Sequence, residues 1–275
     1  MTEPVFSDPL AQQYYQQGET ELAAAQSAES VLRKAELCGQ KDSRADITQS
    51  AFYYLAAAHF LENRDPAMSA QAYHQAGYQL HRLDLFTQAG RAYSSAGKLA
   101  ERAAATEAAE STRHHLQHLA VRAYSRANYC FAEMGELDWS EAEYLNERNA
   151  RLTWSKMQGK HPWAQLAWKA TSNYGTSFAR WGAWVLGTIG TFSVLYEIFF
   201  RLHWLVPMET AAPVAWVPLW SGLYYSVNIT SALGLVDYEP SHFISQSVVV
   251  VNVLVGYLLL GVGIGIIGRM IKTRA

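Results

Sequence analysis

The sequence predicts an all-α protein made of two unlike halves: antiparallel helical hairpins first, then two membrane-spanning helices with a shorter helical segment between them. Charge is the first observation behind this prediction, because residues 1–160 carry 36 charged side chains and residues 161–275 carry only 10. The second is a pair of long uncharged segments in the later half, and the third is a recurring Ala-Tyr motif in the earlier half. Together they exclude a single globular domain.

The first half, residues 1–158, is rich in helix-forming residues and poor in proline, which favours helix throughout. Its recurring motif is Ala72-Tyr73-x-x-Ala76-Gly77, Ala92-Tyr93-x-x-Ala96-Gly97 and Ala123-Tyr124-x-x-Ala127-Asn128. Small Ala beside large Tyr, closed by Gly or Asn at a helix end, is typical of closely stacked antiparallel helices, with turns expected at 63–66 and 136–138.

This pattern resembles tetratricopeptide and soluble-attachment-protein helical hairpins. The resemblance implies a helical repeat domain over 1–158 with a face that binds a protein or peptide partner. Because fold does not fix function, a spacer or a tetramerisation collar is the alternative.

Catalytic and metal-binding signals are not apparent in the sequence. Cys38 and Cys130 belong to no CxxC or Cys/His cluster, and His114 and His118, one helical turn apart, are expected on an exposed helix face rather than at a metal. There is no nucleotide loop, nucleophile triad or carboxylate pair. We therefore expect neither an enzyme nor a cofactor, and the net charge of −2 gives no reason to expect nucleic acid.

A tryptophan- and lysine-rich linker over 159–180 follows. Its tryptophans and those just before it are Trp154, Trp163 and Trp168, and the lysines are Lys156, Lys160 and Lys169. With Pro162 at its start, this composition suits a helix that lies in the membrane interface against lipid. Because it precedes the first span, we predict that it couples the first half to the membrane half.

Two spans are predicted, over about 181–202 and 243–271. The stretch 243–268 has 26 residues without a charge, about 39 Å of helix, which exceeds a ~30 Å hydrocarbon core. Basic residues lie before the first span and after the second, which predicts that both flanks are cytoplasmic. The number of membrane crossings is then even. The polar N-terminus carries no signal peptide, and we expect a bacterial inner membrane.

The segment between the spans decides the topology. Residues 210–236 are uncharged, yet Pro213 and Pro218 argue against a third span. An even number of crossings then requires this segment to enter and leave on one side. Irregular backbone at membrane depth is tolerated only where it is buried in protein or faces water, as in a pore lining.

The residues of this segment support that interpretation. Tyr224-Tyr225-Ser226-Val227 is followed by Gly234, Asp237 and Pro240, which lie three residues apart. This resembles the pore helix and selectivity filter of the two-transmembrane potassium-channel family, whose pattern is aromatic-aromatic-Ser-Val, then Thr-Thr-Val-Gly-Tyr-Gly-Asp, then Pro. The resemblance implies a pore domain over 181–275, a pore helix and filter over about 216–240, a homotetramer and monovalent cations. The implied filter is Ser231, Ala232, Leu233, Gly234, Leu235, Val236 and Asp237.

Five of these seven positions depart from the family pattern, and three of the departures remove a group that the family filter uses. Ala232 lacks the threonine hydroxyl, Leu235 replaces Tyr, and Val236 replaces the second Gly. Potassium filters need glycines at positive φ, and a left-handed Val236 costs about 1–2 kcal/mol per chain. Potassium-selective conduction, a less selective cation pore and a filter of altered shape all stay open.

Polar side chains near the filter have alternative roles. Asp237 and Glu239 form charged rings at the outer mouth, or Asp237 only hydrogen-bonds behind the filter, as its counterpart in the family does. Glu197 and Arg201 are expected to form a helix-surface ion pair. Asn252 either faces the pore or ties helices together.

Glycines crowd the inner half of the second span. Gly256, Gly261, Gly263 and Gly265 are candidates for a gating hinge, and close helix packing is the equally weighted alternative.

The sequence therefore predicts a tetrameric, potassium-channel-like ion channel whose conduction is gated or assembled by the cytoplasmic helical repeats. The alternative is a non-conducting, membrane-anchored scaffold that binds a protein partner.

Overall fold

A computed structural model describes residues 9–25, 27–208, 215–234 and 237–272, with all of their side chains except those of 25 and 269–272. The chain is about 80% helix and 2% strand, with eleven helices in the described residues, which confirms the coarse prediction of a mostly helical protein. It divides into two compact units, Met1–Pro162 and Trp163–Ala275.

In the first unit, each helix from α2 onward packs on its neighbours along the chain, and α1 packs mainly on α3. Asp65 starts α4 by accepting a hydrogen bond from the Met68 amide (2.9 Å), with Pro66 in the first turn, so the expected turn at 63–66 is found. The turn expected at 136–138 lies earlier, because Gly135 takes φ +71° and the next helix begins at Leu137. The helices are α1 (Pro9–Ala25), α2 (Glu29–Gly39), α3 (Arg44–Leu61), α4 (Pro66–Arg82), α5 (Phe86–Thr106), α6 (Glu110–Glu133) and α7 (Leu137–Met157).

The motif glycines lie inside helices, so their expected position at helix ends is wrong. A Cβ on Gly77 would lie 2.9 Å from the Tyr93 ring, and a Cβ on Gly97 would lie 2.5 Å from the Tyr124 ring. Tyr93 and Tyr124 thus each pack against the glycine of the preceding motif. Glycine is needed there because the ring occupies the volume that a side chain would fill.

Buried polar groups join α5, α6 and α7. The Ser94 hydroxyl donates to Glu143 (2.6 Å) and the Tyr124 hydroxyl donates to Glu101 (2.8 Å). The pKa of Glu101 is raised, mainly because burial disfavours the charged carboxylate. These bonds satisfy groups that would otherwise destabilise a core rich in alanine.

Replacing Gly97 with Ala tests the glycine-to-tyrosine contact. Alanine ordinarily favours a helix over glycine, but here we expect unfolding to become easier by about 1–3 kcal/mol, because the Tyr124 ring must move. Chemical denaturation followed by circular dichroism measures this. In a Tyr124→Leu background the same substitution should cost less, and an equal cost in both backgrounds would contradict the contact.

The second unit contains α8 (Trp163–Ser172), α9 (Phe178–Arg201), β1 (Leu205–Pro207), α10 (Trp220–Thr230), β2 (Tyr238–Pro240) and α11 (Phe243–Lys272). In the described part of the chain, α9 and residues Phe243–Gly268 of α11 are long and apolar enough to cross a membrane. Most of their side chains are exposed rather than buried, unlike those of a core helix in a soluble protein.

Candidate functional site

The chain between α9 and α11 begins and ends at the same place. β1 follows α9 and pairs antiparallel with β2, which precedes α11, so that Leu205 lies opposite Pro240. Just beyond this pairing the Met208 amide donates to the Asp237 carbonyl (3.0 Å). We call the segment between Met208 and Asp237 the excursion, because the chain leaves this pairing at Met208 and returns to it at Asp237.

Aromatic rings hold this junction together. Phe200 stacks on Trp216 with 4.4 Å between ring centroids, and Tyr238 meets the edges of both rings. Trp204 stacks on His242 at 4.3 Å. The end of α9, the start of the excursion and the start of α11 are thus fixed to one another.

Glu197 does more than form the expected ion pair. Its Oε1 accepts from Arg201 (3.2 Å), while its Oε2 accepts from the Trp216 indole (2.8 Å) and the Leu219 amide (3.4 Å). The carboxylate therefore anchors the approach to α10 on the last turns of α9.

From Glu197, α10 runs antiparallel along α9. A Cβ on Gly222 would lie 2.7 Å from the Ser193 carbonyl oxygen, so the two backbones meet there. Four residues further along α10, the Ser226 hydroxyl donates to the Ile189 carbonyl (2.9 Å). A small-residue face of α10 thus lies directly on the backbone of α9.

Asn252 ties three helices together, which is the second of its two expected roles. Its side chain is fully buried. Its amide donates to the Tyr196 hydroxyl of α9 (2.9 Å), and its oxygen accepts from the Thr230 hydroxyl at the end of α10 (2.9 Å). The last residue of α10 is therefore fixed to α11.

The depth of that last residue follows from helix geometry. α10 has 11 residues, about 16 Å at 1.5 Å per residue, roughly half of a ~30 Å hydrocarbon core. Asn252 lies nine residues after Phe243, about 14 Å along α11. If α9 and α11 cross a membrane, α10 ends close to its midplane.

The backbone after α10 turns back through a hydrogen-bonded cap. The Ala232 amide donates to the Ile229 carbonyl (3.1 Å), and the Leu233 amide donates to the Asn228 carbonyl (3.0 Å). This arrangement needs a left-handed residue, and Ala232 has φ +55° where glycine is usual. Ser231 is bonded back to the Val227 carbonyl and Gly234 has φ +69°.

The other predicted filter and mouth residues follow along the chain. Leu233 is 62% exposed. Leu235 and Val236 lie outside the described residues, so the expected cost of a left-handed backbone at Val236 stays a prediction. Glu239 is exposed on β2 opposite Val206. The structure brings Ser231 to Gly234 together at the end of α10 and sets Asp237 and Glu239 at the junction.

The hinge candidates in α11 fall into two classes. A Cβ on Gly256 would collide with the Thr230 carbonyl, and one on Gly263 would lie 2.7 Å from the Trp181 ring. A Cβ on Gly261 or Gly265 would meet nothing within 4 Å among the described residues. Gly256 and Gly263 are thus sites of close packing, the alternative that the sequence left open.

α8 is bonded to α9, and α9 to α11. Arg180 donates to the Lys169 carbonyl (3.2 Å), and the Trp184 indole donates to the Ala170 carbonyl (3.2 Å). The Trp181 indole donates to the Leu259 carbonyl of α11 (2.8 Å), in the space left by Gly263. Trp154, by contrast, belongs to α7 and lies against His118 in the first unit.

The roles of Glu197 and Trp181 as anchors escaped the sequence analysis. An acidic side chain within an apolar span is the signal that could have revealed Glu197, because it needs a partner there. Trp181 offered no such signal, since nothing in its local sequence points to Leu259, 78 positions away.

Comparisons with protein-family models, curated proteins and solved structures gave no match to this chain.

Alanine at Gly256 and at Gly261 gives a matched test of the packing. We expect Gly256→Ala to lower the stability of the second unit by about 1–3 kcal/mol, because the new methyl group strikes the Thr230 backbone. Gly261→Ala should leave it unchanged or raise it by up to about 1 kcal/mol, because alanine favours a helix and the new methyl group meets no neighbour among the described residues. Thermal unfolding in detergent, followed by tryptophan fluorescence, compares the two. Equal midpoints would contradict the close approach of α10 and α11.

Proposed function

We propose that this protein is a tetrameric, potassium-channel-like cation channel whose conduction is gated or assembled by the first, helical unit. The observation that carries the proposal is the Met208–Asp237 hydrogen bond, which closes an excursion containing a helix too short to span a membrane. Such a segment returns to the side from which it entered. Lipid does not accommodate its non-helical backbone, but the wall of a water-filled pore does.

Several features support a pore helix followed by a filter. The C-terminal end of α10 points toward the midplane, where the negative end of a helix dipole favours cations. Residues 231–237 then return to the junction, and four copies would surround an axis with backbone carbonyls. Asp237 and Glu239 add negative charge at the outer end, which raises the local cation concentration.

Exposed apolar surface supports assembly. Leu233 is 62% exposed on the excursion, and in a pore it would lie beside its counterparts in the neighbouring chains. A homotetramer is needed for this, since one chain with two spans cannot enclose a pore. Under this proposal both termini are cytoplasmic, in a bacterial inner membrane, and the helical repeats bind a protein or peptide partner or hold the tetramer together.

The α8–α9–α11 contacts support a coupling route. The Leu259 carbonyl is the normal partner of the Gly263 amide in a helix, and the Trp181 indole competes for it. A side chain that enters the helical hydrogen-bond ladder is a recognised cause of bending. Movement of α8 would thus reach the inner part of α11 through the start of α9.

Recording from the full chain in planar bilayers with unequal potassium and sodium tests conduction. Leu233→Cys should be blocked by a cationic thiosulfonate reagent, because Leu233 lies on the proposed filter. Leu186→Cys is the control, since it is 72% exposed on α9 and would face lipid. Both native cysteines lie in the first half, so the membrane half has no competing thiol.

The outcomes separate the two candidate functions. A reversal potential near that of potassium indicates a selective filter, and a cation current without potassium preference indicates a permissive one. A monomer in native mass spectrometry together with the absence of any current would contradict the pore and favour the non-conducting scaffold. A current that ignores modification at 233 would contradict the position of the filter.

Trp181→Phe tests the coupling route. The substitution keeps the ring and removes the indole donor, so we expect open probability to change by about three- to tenfold with unchanged conductance and reversal potential. Trp163→Phe, at a 76% exposed position on α8, is the control. Unchanged open probability in Trp181→Phe would eliminate this route.

A further inference from the structure

A cavity of about 410 Å³ lies between α10 and β2, a volume in the range of small-molecule sites. Five aromatic residues line it, together with one acidic residue. They are Trp216, Trp220, Tyr224, Tyr225, Tyr238 and Asp237.

The aromatic wall combines fixed and accessible rings. Trp216 is held by Phe200 and Glu197, and Tyr225 is held against Tyr196 at 4.7 Å. Trp220 and Tyr224 keep 65% and 44% of their surface exposed. The cavity therefore has a rigid side and an open side, which allows a ligand to enter without rearrangement of the junction.

The carboxylate has no compensating partner. In the described part of the chain, no hydrogen bond or ion pair reaches the Asp237 side chain. The Trp216 indole, which lines the same cavity, is already bound to Glu197. Asp237 therefore brings an unpaired negative charge to an aromatic wall, which differs from the hydrogen-bonded role implied by the family resemblance.

We propose that this cavity binds an organic cation, of the class of alkylated ammonium ions. Aromatic faces attract such cations through the ring quadrupole, and a carboxylate adds direct charge attraction. A small inorganic cation would need several oxygen ligands in place of its water, and this wall is mostly carbon. The proposal depends on the cavity and not on conduction, so it can fail while the pore stands.

Isothermal titration of the full-length protein in nanodiscs with choline tests the proposal, with 3,3-dimethylbutan-1-ol as a neutral probe of the same shape. We expect choline to bind with millimolar or tighter affinity and the neutral probe to bind at least about tenfold more weakly. Asp237→Asn should weaken choline by about tenfold or more. Glu239→Gln, which neutralises the exposed carboxylate two residues away, should change it by less than about twofold.

Trp220→Leu gives an independent test of the cavity, because an exposed ring can be lost without unfolding the protein. It should weaken choline several-fold and leave the melting temperature unchanged. Equal affinity for choline and the neutral probe would reduce the site to an apolar cleft and overturn the proposal. Equal effects of Asp237→Asn and Glu239→Gln would also overturn it, as would no choline binding, the result expected if a neighbouring protomer fills the cavity.

Discussion

Backbone amides and carbonyls inside a hydrocarbon layer must find partners within the protein, and if α9 and α11 cross a membrane this constraint accounts for much of the second unit. α10 can end about halfway along its neighbours because its terminal carbonyls are capped by the Ala232 and Leu233 amides. Asn252 then satisfies the Thr230 hydroxyl, and Glu197 satisfies the Leu219 amide at the other end. Both ends of the short helix thereby have hydrogen-bond partners within the protein. A helix that spans the layer would not require them.

Glycine is used in both units for the same physical reason. Where a backbone or ring must approach a helix closely, the Cβ is removed: Tyr124 occupies the space at Gly97, Ser193 the space at Gly222, and Trp181 the space at Gly263. Close approach brings donors within reach of carbonyls that a larger side chain would shield, as with the Trp181 indole and the Leu259 carbonyl. The flexibility of glycine is secondary at these positions, because all three lie within regular helix.

Local patterns in the sequence were enough to predict the helical character, the two apolar helices and a helix between them, because charge and length are read directly from neighbouring residues. Partners distant in sequence were not predictable. Nothing near Glu197 indicates Trp216 as its partner, and nothing near Gly77 indicates that Tyr93 rather than a helix end explains it. Asn252 illustrates the same limit, since its polarity predicted a special role but only the fold chooses between its two candidate roles.

The two ends of α9 carry different connections. Its C-terminal half holds α10 through Ile189, Ser193 and Glu197, whereas its N-terminal end holds α8 and α11 through Arg180, Trp181 and Trp184. Under the proposed function, a pull on α8 would act on α11 near Gly263 before it disturbed the contacts of α10. Because Asn252 joins α11 to the end of α10 about 16 Å above Gly263, bending between these two points would leave the filter supported while the inner end of the helix moves.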